Sequence, residues 1–133
     1  MRIEPMTDAD HVEVAALLSA CFNWLADREG FTQAQRAFLV GARSSVETLR
    51  EESRTRPHVV ARDDAGAIMG LAAIRDNEIA RLYVHPRCHG CGVGTALFDT
   101  AVEMIRAAGH KQVLVAALVE SAAAFYRARG MHE

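Results

Sequence analysis

The sequence has neither a long apolar segment nor an excess of charge of one sign. Spanning a bilayer takes roughly 20 consecutive apolar residues, and no run in the chain approaches that length. Lysine and arginine total 15 and aspartate and glutamate total 17, which gives a formal net charge of −2 and no general affinity for polyanions. Residues 1–5 lack the apolar core of a secretory signal. We therefore expect a cytoplasmic protein that binds neither nucleic acid nor membranes.

Cysteine is also scarce. The chain has three cysteines, and this odd number does not favour a disulfide framework. Cys21 falls on an apolar helical face and is expected in the core. Cys88 and Cys91 form a C-x-x-C pattern around His89, but a structural zinc site needs two further ligands at a second such spacing, and none follows. We predict no metal, and a thiol or metal protein built on Cys88 and Cys91 stays open as an alternative.

The chain is predicted to form a single domain, since 133 residues suffice for one core but not two. Its N-terminal part is predicted to hold one strand and two helices. Residues 1–6 are typical of a short strand. Helical spacing then predicts a first buried face of Val14, Leu17, Leu18, Cys21 and Phe22. Thr32 and Gln35 fit a capping box, which predicts a helix to about Ser53. Its expected apolar face is Phe38, Ala42, Val46 and Leu49.

The rest of the chain is predicted to add a mixed sheet and two more helices. Residues 58–62, 67–75 and 78–84 are β-rich and joined by short turns, so they predict an antiparallel meander. A helix follows from about residue 93 to Ala108, then an apolar run, residues 112–118, typical of a strand buried on both faces. A short helix after Ser121 ends at Gly130. Strand, helix and strand in this order imply a parallel βαβ unit, and hence an α/β fold.

Glycines are concentrated between the last meander strand and the following helix. The loop reads HGCGVGT over residues 89–95. A glycine-rich turn from strand to helix lets a phosphate approach the N–H groups at the helix N-terminus, where the helix dipole also favours negative charge. The loop therefore predicts a ligand that carries a pyrophosphate.

Three segments in this order resemble the GCN5-related N-acetyltransferase (GNAT) superfamily. They read LYVHP over residues 82–86, HGCGVG over residues 89–94 and AFYRARGM over residues 124–131, and the resemblance covers residues 78–131. The N-terminal strand, two helices and meander fit the family's opening. The resemblance implies an acetyl-coenzyme A-dependent N-acetyltransferase that moves an acetyl group to a primary amine by direct attack.

The resemblance also implies how coenzyme A is held. The loop would wrap the pyrophosphate through His89, Gly90, Cys91, Gly92, Val93, Gly94 and Thr95. Gly92 and Gly94 fill the family's glycine positions, while His89 stands where Arg or Gln is usual, so Arg87 is the candidate for the missing positive charge. The main chain of Leu82, Tyr83 and Val84 would pair with the pantetheine arm as a strand does.

Two catalytic residues are expected from the family positions. Tyr126 would protonate the departing thiolate as general acid. Glu78, at the head of a strand, is the first candidate for the base that deprotonates the amine. The weaker candidates are Glu120, His58 and His85. Trp24, Phe31 and the helix over residues 33–53 are expected to border the acceptor groove.

One departure from the family concerns the closing strand. Relatives carry a further strand after the segment that here ends in Gly130 and Met131, and the sequence stops at Glu133. An uncovered strand edge is a template for pairing, so we predict self-association, as a dimer. If the open edge disables the acceptor site, a non-catalytic coenzyme A-binding module becomes the alternative function.

Overall fold

A computed structural model describes residues 1–116 and 120–132. Within them, five strands form one mixed sheet in the order β1-β2-β3-β4-β5. Their bounds are Arg2–Pro5 (β1), His58–Arg62 (β2), Ile68–Arg75 (β3), Glu78–Val84 (β4) and Leu114–Val115 (β5). The first three pairings are antiparallel and the last, between β4 and β5, is parallel. This arrangement confirms the predicted α/β class, the meander and the parallel unit.

Helices cover both faces of the sheet. The α-helices are His11–Glu29 (α1), Gln33–Ala37 (α2), Val46–Ser53 (α3), Val93–Ala107 (α4) and Glu120–Ala128 (α5). One core lies under α1 and α3, where all the residues predicted for the face of α1 are buried together with Leu49. The other lies under α4, where Leu97 and Ala101 are fully buried against the opposite side of the sheet. Burying each leucine side chain contributes about 1.5–3 kcal/mol.

The single helix predicted from Thr32 to Ser53 is wrong, although its start is right. Thr32 Oγ1 accepts a hydrogen bond from Gln35 N at 3.1 Å, and Gln35 Oε1 accepts one from Thr32 N at 2.8 Å. α2 then passes into a π-helical turn, Phe38–Ala42, and stops. A new helix begins because Ser45 caps it, with its Oγ accepting from Thr48 N at 3.1 Å. Phe38 is consequently 59% exposed instead of lying on a buried face.

The parallel pairing of β4 with β5 is brief. It joins Glu78 to Leu114 and Ile79 to Val115, so no described strand pairs with this edge of β4 beyond Ile79. Of the expected strand over residues 112–118, the described part, residues 112–116, forms a strand at these two residues and is not buried on both faces, since Leu114 is 51% exposed. Among the described residues β5 is the edge of the sheet, which leaves Leu114 uncovered; residues 117 and 118 lie outside the described chain.

A β-bulge in β4 turns the strand at this point. Ala73 of β3 pairs with Arg81, but the next residue, Ile74, pairs with Ile79, so Ala80 is an extra residue in β4. Bulges bend a strand and increase its twist. The bulge at Ala80 directly follows Ile79, the last residue of β4 that pairs with β5. Beyond the bulge, the side of β4 that faces away from β3 forms an open edge.

The approach of β3 to α4 requires glycine at position 70. A Cβ there would lie 2.7 Å from Leu97 Cδ1 and 3.0 Å from Tyr83 O. We expect Gly70→Ala to lower the free energy of unfolding by about 1–3 kcal/mol through overpacking, measured by urea denaturation. Gly41→Ala is the matched control, because nothing lies within 4 Å of a Cβ at Gly41. Equal free energies of unfolding for Gly70→Ala and Gly41→Ala would show that the close packing at position 70 does not require glycine.

Candidate functional site

A cavity of about 610 Å³ runs along the open edge of β4. It is bounded by the second half of α1, the glycine loop and α5. Most of the site residues predicted from the sequence line it: Leu82, Tyr83, Val84, His89, Gly90, Gly92, Val93, Gly94, Thr95 and Tyr126. Arg87 and Cys91 are exposed and do not contribute to its lining. The fold thus brings the strand edge, the loop and the tyrosine to one space.

The glycine loop presents the N-terminus of α4 to this cavity. Gly92 is the N-cap of α4 and has φ 82°, in the left-handed region that glycine adopts at no steric cost. The first helical hydrogen bond runs from Ala96 N to Gly92 O at 3.1 Å. The N–H groups of Val93, Gly94 and Thr95 precede that bond and have no partner within the helix. The loop therefore offers backbone donors to an anion in the cavity.

His89 closes the wall between the loop and α1. Its Nε2 lies 3.1 Å from Val84 O, and its ring makes an edge contact with Trp24, 4.7 Å between centroids. Cys21 Sγ donates to the same carbonyl at 3.2 Å. Burial raises the pKa of the Cys21 thiol to about 12, so this sulfur keeps its proton. The end of β4 is thus tied to both α1 and the loop.

Arg129 is a residue of the cavity that the sequence analysis missed. It follows α5, lines the cavity and stacks its guanidinium on the Phe125 ring, 3.6 Å from the centroid. Its Nη1 donates to Phe125 O at 3.0 Å, and Nη2 donates to Thr95 Oγ1. No described carboxylate forms an ion pair with it. The i, i+4 spacing of Phe125 and Arg129 on a helical segment was the available signal.

Tyr126 is held by aromatic packing on the wall opposite β4. Its ring lies 5.4 Å from that of Phe125 and 6.2 Å from that of Phe98. Burial, with a smaller contribution from Tyr83, raises the pKa of Tyr126 to about 12. The hydroxyl therefore stays protonated throughout the neutral range and can act as a proton or hydrogen-bond donor.

The candidate bases whose side chains are described do not line the cavity that Tyr126 lines. Glu78, the first residue of β4, is ion-paired with Arg75 and lines neither the large cavity nor the smaller one beside it. His58 is buried, and burial lowers its pKa; its Nδ1 lies 2.8 Å from Arg56 O. His85 lies on the β4–loop connection, where its Nδ1 accepts from Arg87 N at 3.2 Å. The side chain of Glu120 is outside what the structure describes.

The C-x-x-C pattern is split between two environments. Cys88 lines the cavity, whereas Cys91 is exposed, and both thiols are free. Within residues 1–116 and 120–132, no group of three or more His, Cys, Asp or Glu side chains is placed to hold a metal ion. None of the helices described there is long and apolar enough to cross a membrane.

Comparison with known proteins identifies the family. A family model described as the acetyltransferase (GNAT) domain matches residues 26–133. The chain belongs to the GNAT acetyltransferase family. A search of curated proteins found no match. The sheet, the loop and the helix that carries Tyr126 are thus those of a GNAT fold, and the resemblance seen in the sequence is confirmed.

Solved structures of GNAT proteins superpose on most of the chain. A GCN5-related N-acetyltransferase from Rhodopseudomonas palustris is 25% identical, with a TM-score of 0.86 over 96% of this chain and 79% of that one. The PaiA N-acetyltransferase of Thermoplasma acidophilum, solved with coenzyme A, is 19% identical, with a TM-score of 0.76 over 97% and 89%. An aminoglycoside 6′-N-acetyltransferase from Acinetobacter haemolyticus is 16% identical, with a TM-score of 0.70 over 100% and 92%.

Membership in the family supports acetyltransferase activity in general. GNAT enzymes use acetyl-coenzyme A, and one structural neighbour binds coenzyme A. The neighbours below 25% identity establish the fold alone and do not identify the acceptor of this chain.

Proposed function

We propose that this protein transfers acetyl from acetyl-coenzyme A to the primary amine of a small molecule by direct attack. The observation that carries the proposal is the cavity along β4, because one continuous space joins the glycine loop to Tyr126. A ligand with a phosphate at one end and a thioester at the other fits that arrangement. In direct attack, the acetyl group would pass from the sulfur to the amine nitrogen without a covalent intermediate on the enzyme.

The pyrophosphate end would bind at the start of α4. Backbone N–H groups of the loop donate to charged oxygens there, and hydrogen bonds to charged groups are each worth about 1.5–3 kcal/mol. Arg129 supplies a positive charge beside Thr95. In this proposal Arg129 takes over the role of the family's loop Arg or Gln, since the ring of His89 is turned to Val84 O. Arg87 and Cys91 would contribute only through the outer, exposed side of the loop.

The pantetheine arm would lie along the open edge of β4. Residues 80–84 have no described strand partner on that side. Apart from Val84 O, which Cys21 and His89 already contact, the main chain of Leu82, Tyr83 and Val84 would therefore pair with amides of the ligand. This recognition depends on the backbone and not on side-chain identity. It would place the thioester near the bulge and Tyr126.

At the thioester, the amine nitrogen forms a bond to the carbonyl carbon and the carbon–sulfur bond breaks. The sulfur leaves with the electron pair, and we propose that the Tyr126 hydroxyl stabilises it by hydrogen bonding and proton donation. The nitrogen loses one proton. Glu78 remains the proposed base and, because it lies outside both cavities, would act through water next to Ile79.

Self-association also remains a proposal. The outer edge of β5 has no strand partner among the described residues, and Leu114 on it is 51% exposed. Pairing of this edge with a second copy would cover both.

Coenzyme A binding can be tested at the N-cap of α4. In Gly92→Ala, the left-handed backbone conformation of residue 92 would cost about 1–2 kcal/mol once the residue has a Cβ. The loop would relax to avoid this cost, and its N–H groups would no longer point into the cavity. We expect the dissociation constant for coenzyme A, measured by calorimetry, to rise at least about tenfold. Gly66→Ala is the matched control, since Gly66 has φ 88° and open space but lies in the β2–β3 turn. Equal affinities of the two variants would rule out the loop as the binding site.

Tyr126→Phe tests the chemical step. We expect kcat to fall by roughly 10²–10⁴-fold with the coenzyme A dissociation constant unchanged, measured by release of free thiol. Tyr83→Phe, which removes another hydroxyl that lines the cavity, is the control and should retain most of the activity.

The pH profile of the same assay separates the roles further. Glu78→Gln should lower the rate chiefly at low pH, where little free amine exists, and an unchanged profile would remove Glu78 as the base. Coenzyme A binding without turnover on any amine would instead support the non-catalytic module.

A further inference from the structure

A second, smaller cavity of about 110 Å³ adjoins the large one. Both cavities are lined by Leu25, Leu82, Tyr83, Ala122 and Tyr126. The two spaces therefore meet at the tyrosine and at the open edge of β4. The small cavity begins at Ile79, next to the bulge, while the large one continues to the glycine loop.

The walls that belong to the small cavity alone are almost entirely apolar. Phe22, Phe31, Leu39 and Ile79 form most of them, and among the described residues no Asp or Glu contributes. The volume is smaller than the roughly 150 Å³ of an apolar cavity that holds benzene. A body of a few aliphatic carbons therefore fits the space better than an aromatic ring or a sugar.

The charged residue of this cavity is a cation. Arg81 is 3% exposed, its Nε lies 3.1 Å from Glu52 Oε2, and its Nη1 has no hydrogen-bond partner. Glu52 also forms ion pairs with two other arginines: its Oε1 lies 2.8 Å from Arg43 Nη1 and 3.7 Å from Arg56 Nη1. Three guanidinium groups thus surround one carboxylate, and this cluster leaves an excess of positive charge behind the apolar wall.

We propose that the small cavity holds the acceptor, and that the acceptor is a primary monoamine with a small aliphatic body, not a diamine, polyamine or basic peptide. This inference rests on the proposed acetyl transfer. The amine lies at the Tyr126 end, where the two cavities meet, and the carbon body lies among Phe22, Phe31 and Leu39. A second ammonium group would sit in an apolar space beside Arg81 without a counter-charge from any described lining residue.

The same surroundings favour the reactive form of the amine. Burial in an apolar space and a nearby positive charge both disfavour an ammonium ion. The nitrogen therefore enters as the free base and attacks the carbonyl carbon, after which it carries one proton too many and loses it to water or, through water, to Glu78. The carbon–sulfur bond breaks, and the sulfur leaves with the electron pair and takes the proton of Tyr126. Tyr126 regains a proton from solvent, so that one proton passes from nitrogen to sulfur overall.

The test compares two amines of equal size. Pentylamine and 1,4-diaminobutane have the same number of heavy atoms, but the second carries an ammonium in place of a terminal methyl group. We expect kcat/KM for pentylamine to exceed that for 1,4-diaminobutane by at least about 100-fold, with branched 3-methylbutylamine at least equal to pentylamine. Equal values, or a preference for the diamine, would overturn the inference while leaving acetyl transfer intact.

A charge placed in the cavity should change this preference. Leu39→Asp introduces a carboxylate into the wall, and we expect the ratio of diamine to monoamine kcat/KM to rise at least about tenfold. Phe38→Asp adds the same charge one residue away, at a position that is 59% exposed and outside the cavity lining, and should leave the ratio unchanged. Leu39→Asn controls for the loss of the apolar side chain without the charge.

The outcomes distinguish a failure of the inferred acceptor site from a failure of the proposed acetyl transfer. An unchanged ratio in Leu39→Asp, or an equal change in Phe38→Asp, would show that the acceptor lies elsewhere. Should Leu39→Asp fail to fold, the comparison of the two amines with the unmodified protein still decides. If coenzyme A binds but no amine in the panel is acetylated, the proposed function fails, and the inference fails with it.

Discussion

The separation of β4 from β5 after Ile79 is the constraint on which the rest of the structure depends. Ladder pairing stops there, and the bulge at Ala80 turns the strand. Backbone groups left without a ladder partner must be satisfied in another way, and at Val84 O the side chains of Cys21 and His89 do this. Leu82 and Tyr83 on this edge line both cavities. The proposed binding surface is thus a consequence of an incomplete sheet.

The two hydrophobic cores hold the opposite walls of this gap. The core under α1 fixes Cys21 and Leu25, and the core under α4 fixes the start of that helix, with Leu97 directly above Gly70. The electrostatic character of the two ends differs. At the loop, a helix N-terminus and Arg129 favour an anion, whereas the small cavity is apolar with Arg81 at its margin. A donor with phosphates and an uncharged acceptor body would therefore enter from different ends and meet at Tyr126.

Local signals in the sequence were sufficient for much of the fold. The capping box at Thr32, the helical spacing from Val14 to Phe22 and the turn residues of the meander each determine structure over a few residues, and the structure has them. Features set by competition or by tertiary contact were not predictable in this way. The first helical segment stopped after Ala42, and Ser45 began a new helix. The apolar run near Leu114 gave two paired residues among those described. Arg129 became visible only when its hydrogen bond to Thr95 was seen. The family order of motifs identified most of the cavity lining, because that lining is built from consecutive backbone.

A titration of ¹⁵N-labelled protein with coenzyme A, followed by backbone amide NMR, tests directly whether the open edge of β4 and the glycine loop bind the same ligand. We expect the amides of residues 82–84 and 90–95 to shift together and to saturate with one dissociation constant. Amides of the β2–β3 turn, residues 63–66, should stay unchanged. Saturable binding that leaves residues 82–84 and 90–95 unshifted, or no binding at all, would contradict the claim that the open edge of β4 and the glycine loop form the coenzyme A site.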